Sequence, residues 1–192
     1  INSGMNEDGW RVGKPCENIV IRSCRMKEGH GGVVIGSGMS GGVRNVHVSD
    51  CKFFGGERGI RLKSMRGRGG FVENIRFDSI EINDMRNEAI QINMFYGSST
   101  VVPRTNIPPD FRNIRIGNIT GKGAETAVEI RGLPEHPLTD IYLNDITLEA
   151  AAGFVCIDVD KIEMKNITVK STEKRSAVFT NTKNIQMENC RI

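Results

Sequence analysis

RNVHVSDCKF, at residues 44–53, decides the fold. Val46 and Val48 alternate with polar residues, and after a two-residue break Cys51 and Phe53 do the same. Alternation of period two belongs to a β-strand with one buried face, so the phrase reads as two short strands joined at a bend. The phrase recurs along the chain. Before it stands ENIVIRSCRM at 17–26; after it come ENIRFDSIEI at 73–82, RNIRIGNITG at 112–121, TDIYLNDITL at 139–148, DKIEMKNITV at 160–169 and KNIQMENCRI at 183–192. Its opening Asn falls at 18, 45, 74, 113 and 184, with Asp140 and Lys161 in the same column.

A second strand follows each of the first six phrases. These strands are VVI at 33–35, GIRLK at 59–63, AIQIN at 89–93, AVEIR at 127–131, FVCIDV at 154–159 and AVFTN at 177–181. Their offset from the phrase is about 14 to 16 residues, while the period of the phrase varies between 21 and 39. A fixed offset inside a variable period means fixed strands and one variable loop. The predicted fold is all-β: a right-handed single-stranded parallel β-helix of about six to seven coils, with like residues stacked in ladders. The Asn column supports it, because stacked amides hydrogen-bond from coil to coil at bends. No segment sustains a helical period, so a doubly wound α/β fold is disfavoured.

The columns assign most other residues. Cys24, Cys51 and Cys190 share an inward position with Ile80, Ile119, Ile146 and Ile167, and Cys156 lies between Val155 and Ile157. All four are expected as small core residues, and Cys16 stands alone. Five cysteines with no CxxC give neither a metal site nor a disulfide framework. Asn118 and Asn166 head N-x-T sequons, but their column position predicts ladder residues. His47 is expected on the surface of its strand, and His136 lies in a Pro-rich loop without a clear signal.

A chain of 192 residues is long enough for one domain with its own core. The net charge of +3 is too mild for a nucleic-acid partner, and no apolar run is long enough to span a membrane. The chain begins with Ile1, and Ile1-Asn2-Ser3-Gly4 matches Ile35-Gly36-Ser37-Gly38. It thus opens inside a later strand and closes on a first phrase, with no helix or polar cap expected at either end. Solenoids need caps. We therefore expect residues 1–192 to be a single β-helix domain, the C-terminal part of a longer one, able to self-associate through the uncapped N-terminal coil.

Function is expected on the variable loops. MFYGSSTVVPRTNIPPDF at 94–111 and RGLPEHPLT at 131–139 follow the same strand column, which predicts a groove on that side. Upstream of them, Arg61, Lys63, Arg66 and Arg68 crowd into eight positions. Arg61 and Lys63 alternate with Ile60 and Leu62, so both point outward, and two cations on one face suit a polyanion. Arg66 and Arg68 read equally as an extension of that rim or as a solvated loop.

Gly29-His30-Gly31, VIGSGMSGGVRNV at 34–46, Arg61-Leu62-Lys63, RGRGG at 66–70 and Asn93-Met94-Phe95-Tyr96 together resemble glycoside hydrolase family 28, the polygalacturonases, most closely the bacterial members. The resemblance implies inverting hydrolysis of α-1,4 galacturonosyl bonds in pectin, with no metal and no cofactor. Inversion needs two carboxyl groups roughly 6.5–9.5 Å apart, one to protonate the leaving oxygen and one to activate water. The family draws these from an Asn-Thr-Asp motif and a Gly-Asp-Asp phrase whose tail fits Ile1-Asn2-Ser3-Gly4. That alignment expects the acids upstream of Ile1 and makes the chain alone inactive. Asn6-Glu7-Asp8-Gly9 looks like the first motif, but no Asp-Asp pair follows one coil later, and Glu7 and Asp8 are expected to be loop residues.

By the same resemblance His30 is a supporting catalytic residue beside the acids. Arg61 and Lys63 bind substrate, Tyr96 stacks on a sugar, and Asn93, one coil beyond Lys63, touches substrate or serves a ladder. The implied partner is an acidic polysaccharide, pectin or galacturonate oligomers, and the implied location is extracellular or periplasmic. The family commonly has Glu where this chain has Gly38, which puts the usual site geometry in question. A non-catalytic glycan-binding or structural β-helix is the alternative. A pectate-lyase-like β-helix is less favoured, because no Asp-rich calcium cluster lies beside Arg61.

Overall fold

The computed structural model describes residues 1–97, 102–172 and 177–192. After a short helix, α1 (Asn6–Val12), the chain is almost wholly strand: β1 (Cys16–Arg22), β2 (Arg25–Lys27), β3 (Val33–Ile35), β4 (Val43–Phe54), β5 (Ile60–Lys63), β6 (Phe71–Asn83), β7 (Glu88–Asn93), β8 (Asp110–Arg131), β9 (Leu138–Ser171) and β10 (Ala177–Arg191). Every strand pairing is parallel, in the order β1-β4-β6-β8-β7-β5-β3, with β9 joining β8 to β10 and β2 beside β4. The long strands β8 and β9 run through corners, so one strand wraps more than one side of a coil. The result is the expected parallel β-helix.

Register places the repeats one above another. Val46 pairs with Ile75, Ile75 with Ile114 and Ile114 with Ile141. Val48, Phe77, Ile116 and Leu143 form the next inward column, and Ile60, Ile90, Val128 and Phe154 face them from the later strands. All of these are buried in one continuous core. Cys51 and Cys156 are buried there, while Cys16, Cys24 and Cys190 pack against it half-buried, and all five are free thiols.

The corners explain the Asn column. Asn18, Asn45, Asn74, Asn113, Asp140, Lys161 and Asn184 all have positive φ, and so do Ser23, Asp50, Ser79, Asn118, Asp145, Asn166 and Asn189 at the second bend. Asn tolerates the left-handed region better than other residues with a Cβ. Its amide then reaches the coil below. Asn45 Nδ2 donates to Asn18 Oδ1 at 3.0 Å, Asn74 Nδ2 to Asn45 Oδ1 at 3.1 Å, and Asn113 Nδ2 to Asn74 Oδ1 at 2.7 Å. Both sequon residues sit in the second ladder, Asn118 donating to Asp78 and Asn166 to Asp145. Asn74→Ala removes both ladder bonds and leaves an alanine at φ 55°. We expect it to cost about 2 kcal/mol in urea unfolding, and Asn74→Gly to cost less, because glycine is unstrained there.

One expectation fails. Glu7 and Asp8 are expected in a loop, with no helix near the chain's end, yet both lie in the first turn of α1, with Arg11 in its last turn and Gly13 closing it at φ 59°. The helix is too short to show a period, but its charges follow the helix dipole. It packs on the loops after β3 and β5: the Asn6 N–H donates to Ser40 Oγ at 2.8 Å and Trp10 Nε1 to the Arg68 carbonyl at 2.9 Å. Glu7 and Asp8 are exposed there.

Candidate functional site

The strands β5, β7 and the end of β8 carry two outward columns. Arg61 pairs with Gln91 and Gln91 with Glu129; Lys63 pairs with Asn93 and Asn93 with Arg131. Alternation predicts that Arg61 and Lys63 point away from the core, and they do. Arg61 is nonetheless not on a solvated face: it is only 9% exposed. Tyr96, on the turn after β7, roofs the pair, with the Lys63 ammonium 4.0 Å and the Arg61 guanidinium 5.6 Å from its ring centre. That turn is fastened by the Tyr96 N–H to the Ser64 carbonyl at 3.0 Å and by the Phe95 N–H to Asn93 Oδ1 at 2.7 Å.

The electrostatics follow from this crowding. Burial, and then the neighbouring Arg58, holds the Arg61 guanidinium below its ordinary value; burial, and then Arg61, does the same to Lys63. Arg61 Nε donates to Gln91 Oε1 at 3.2 Å, and its two terminal nitrogens bond to no described residue. Two such nitrogens form a pair able to grip one carboxylate.

His30 lies on the loop before β3, where Gly29 takes φ 87°. A Cβ on its neighbour Gly31 would lie 3.7 Å from that of Arg61, so the histidine loop borders the basic pair. His30 itself is exposed, its side chain 84% accessible, with Nδ1 2.9 Å from Glu57 Oε1. The His30 hydrogen bond holds the Glu57 carboxyl below its usual range. Asn93 is occupied at both ends of its amide: besides the Phe95 contact, its Nδ2 donates to Glu129 Oε2 at 2.9 Å.

Arg66 and Arg68 are neither rim nor solvated. Arg66 grips Glu135 with two bonds, Nε to Oε1 at 2.6 Å and Nη2 to Oε2 at 2.9 Å, and donates to the Val102 carbonyl. Arg68 donates to Asn6 Oδ1 of α1 at 2.8 Å. The glycine-arginine loop therefore ties the 94–111 and 131–139 loops together. Part of the longer loop, residues 98–101, falls outside the described residues. The Arg66 hydrogen bonds depress the Glu135 carboxyl. A depressed carboxyl stabilises the fold above its unfolded value, about 4.3, and loses that contribution as pH falls through the lowered folded value. The melting temperature of the native chain should therefore drop more steeply on acidification below about pH 4 than that of Arg66→Ala, which has already lost the tie.

His47 is exposed on β4, as expected, and His136 lies 3.4 Å from Asp110. Among the described residues no three His, Cys, Asp or Glu are grouped to hold a metal ion, and no helix is long and apolar enough to cross a membrane. Gln91, Glu129, Glu57 and Glu135 escaped the sequence reading. Aligning GIRLK, AIQIN and AVEIR would have put Gln91 and Glu129 beside Arg61; nothing local signals the loop residue Glu135.

Similar proteins agree with this architecture. A hyperthermoactive exopolygalacturonase from Thermotoga maritima superposes with a TM-score of 0.82 at 35% identity, over 88% of this chain and 38% of that one. A family 28 exopolygalacturonase of Yersinia enterocolitica shares the fold, with a TM-score of 0.83 at 17% identity over 100% of this chain and 34% of that one. A probable polygalacturonase of Vitis vinifera is 29% identical over 171 residues, 84% of this chain and 34% of its own length. The chain spans about a third of the length of the curated relatives it matches. The family described as glycosyl hydrolases family 28 matches residues 1–170, and the chain belongs to it.

Proposed function

We propose that the protein is a pectin-degrading hydrolase of the polygalacturonase type, and that these residues supply the substrate-binding half of its site. The observation that carries this is the Arg61–Lys63 pair under Tyr96. Two cations on one coil, with the guanidinium terminus unpaired among the described residues, match a sugar bearing a carboxylate. A ring beside them matches the sugar's apolar face. Asn93 borders the same groove and fixes the turn that carries Tyr96. His30 stands at the groove's edge, able to hydrogen-bond a catalytic acid in place of Glu57.

Hydrolysis with inversion requires a general acid and a general base, each worth roughly 10²–10⁴-fold. The described carboxylates around the pair are otherwise engaged: Glu57 with His30 and Arg58, Glu88 with Arg58, and Glu129 with Gln91 and Asn93. This favours weak binding of acidic oligosaccharide and little turnover by the 192 residues themselves. A polymeric substrate places the enzyme outside the cytoplasm, in the extracellular space or the periplasm. We also expect association through the N-terminal coil, where the inward residues Ile19 and Ile21 of β1 are only half-buried, unlike their partners Val46 and Val48 on the next coil.

The test is reducing-end release from polygalacturonate by this chain and by a form extended upstream, each with a His30→Ala version. Release by the extended form alone, reduced by His30→Ala, supports the reading. Release by the 192-residue chain overturns the division of the site, and no release by either overturns the enzyme reading.

A further inference from the structure

Gln91 is a polar side chain only 5% exposed, directly between Arg61 and Glu129 in the outward column. Its carboxamide bonds on both sides. Oε1 accepts from Arg61 Nε at 3.2 Å, and Nε2 donates to Glu129 Oε2 at 2.8 Å. An amide can be turned end for end, and the reversed form would point its NH₂ group at the Arg61 donor. Glu129 forbids that reversal: its Oε2 accepts from two amide donors, so it demands the NH₂ end of Gln91 and leaves the oxygen for Arg61. Asn93 Nδ2 donates to the same Glu129 oxygen at 2.9 Å, which fixes the carboxylate in turn.

The consequence reaches the groove. With Nε held by Gln91, the Arg61 guanidinium can present only its Nη1–Nη2 edge, and the Tyr96 ring covers one side of it. We propose that Glu129 is a positioning residue: acting through Gln91 from two coils away, it sets which edge of Arg61 meets a bound uronate carboxylate. This rests on the groove binding acidic sugars, as proposed above. Glu129 has no hydrogen bond to Arg61 and reaches it only through Gln91. Without it Gln91 turns freely, Arg61 Nε loses its fixed acceptor, and the guanidinium samples orientations that do not grip a carboxylate in a bidentate way.

The test compares Arg61→Ala, Glu129→Ala and Glu129→Gln in this chain. Calorimetry with a galacturonate oligomer reads affinity, and the Arg61 Nε–H resonance with its exchange rate reads the relay with no sugar present. We expect Glu129→Ala to weaken binding about tenfold, the loss of one charge-assisted anchor, and to lower the melting temperature modestly, because Gln91 and Asn93 both lose their acceptor. Its Nε–H signal should shift and exchange faster. Glu129→Gln should restore most of both readouts, because the glutamine oxygen can still accept from Gln91 and Asn93. If Arg61→Ala loses binding while Glu129→Ala binds as the native chain does and keeps its Nε–H signal, the relay is wrong and the groove reading stands. If Arg61→Ala binds as the native chain does, the groove reading itself falls and takes the relay's function with it. A chain too weak to titrate is judged on the Nε–H signal, where no change in Glu129→Ala overturns the relay.

Discussion

Arg61→Ala should lower affinity for a galacturonate oligomer by about 10- to 100-fold while leaving weak contacts with neutral oligosaccharides unchanged. The size follows from the interaction lost. A hydrogen bond to a charged partner contributes about 1.5–3 kcal/mol, and each 1.4 kcal/mol is tenfold in affinity. Arg61 stands at the upper end because it is 9% exposed and already desolvated, so less of its attraction is screened by solvent. For the same reason, the affinity it provides should fall only modestly with added salt, unlike that of a surface cation. Arg61→Lys should recover little. An ammonium lacks the planar edge, and its single nitrogen cannot both serve Gln91 and grip a carboxylate in two places. Equal affinity for charged and neutral oligomers in the native chain would remove the basis of this expectation.

Phe77→Ala should be the most damaging single change to the fold among the core columns, at about 3–5 kcal/mol in urea unfolding. Phe77 is 1% exposed, and it is clamped between Val48 on the coil before and Ile116 on the coil after. A β-helix is held together by contacts between adjacent coils, so a cavity here weakens two interfaces at once. The neighbouring walls are backbone ladders with fixed register and cannot collapse into the space. His47→Ala, on an exposed position of β4, is the matched control and should stay within about 0.5 kcal/mol. If Phe77→Ala proves as mild as that control, the coils are not coupled through this column.

Legibility divides along physical lines. RNVHVSDCKF and its copies were sufficient for the parallel β-helix, because period-two alternation is local and its recurrence forces like residues into register. The Asn ladder was readable for the same reason: Asn18, Asn45, Asn74 and Asn113 repeat at a corner where the backbone is left-handed. So was the outward direction of Arg61 and Lys63. What the sequence could not give was environment. Helix α1 was missed because seven residues hold too few turns to show a period. The burial of Arg61 comes from a turn that folds Tyr96 back over it, 35 positions along the chain. Arg66 finds Glu135 at a separation of 69 residues, through two loops whose lengths follow no repeat. Gln91 and Glu129 lie on repeating strands, so their places in the column were there to be read, yet their bonds to Arg61 depend on side-chain packing. The sequence by itself thus determined which residues stack, since stacking is set by a repeat. Only the tertiary structure decided which charges are paired, roofed or free, since those partners meet through loops that the repeat does not govern.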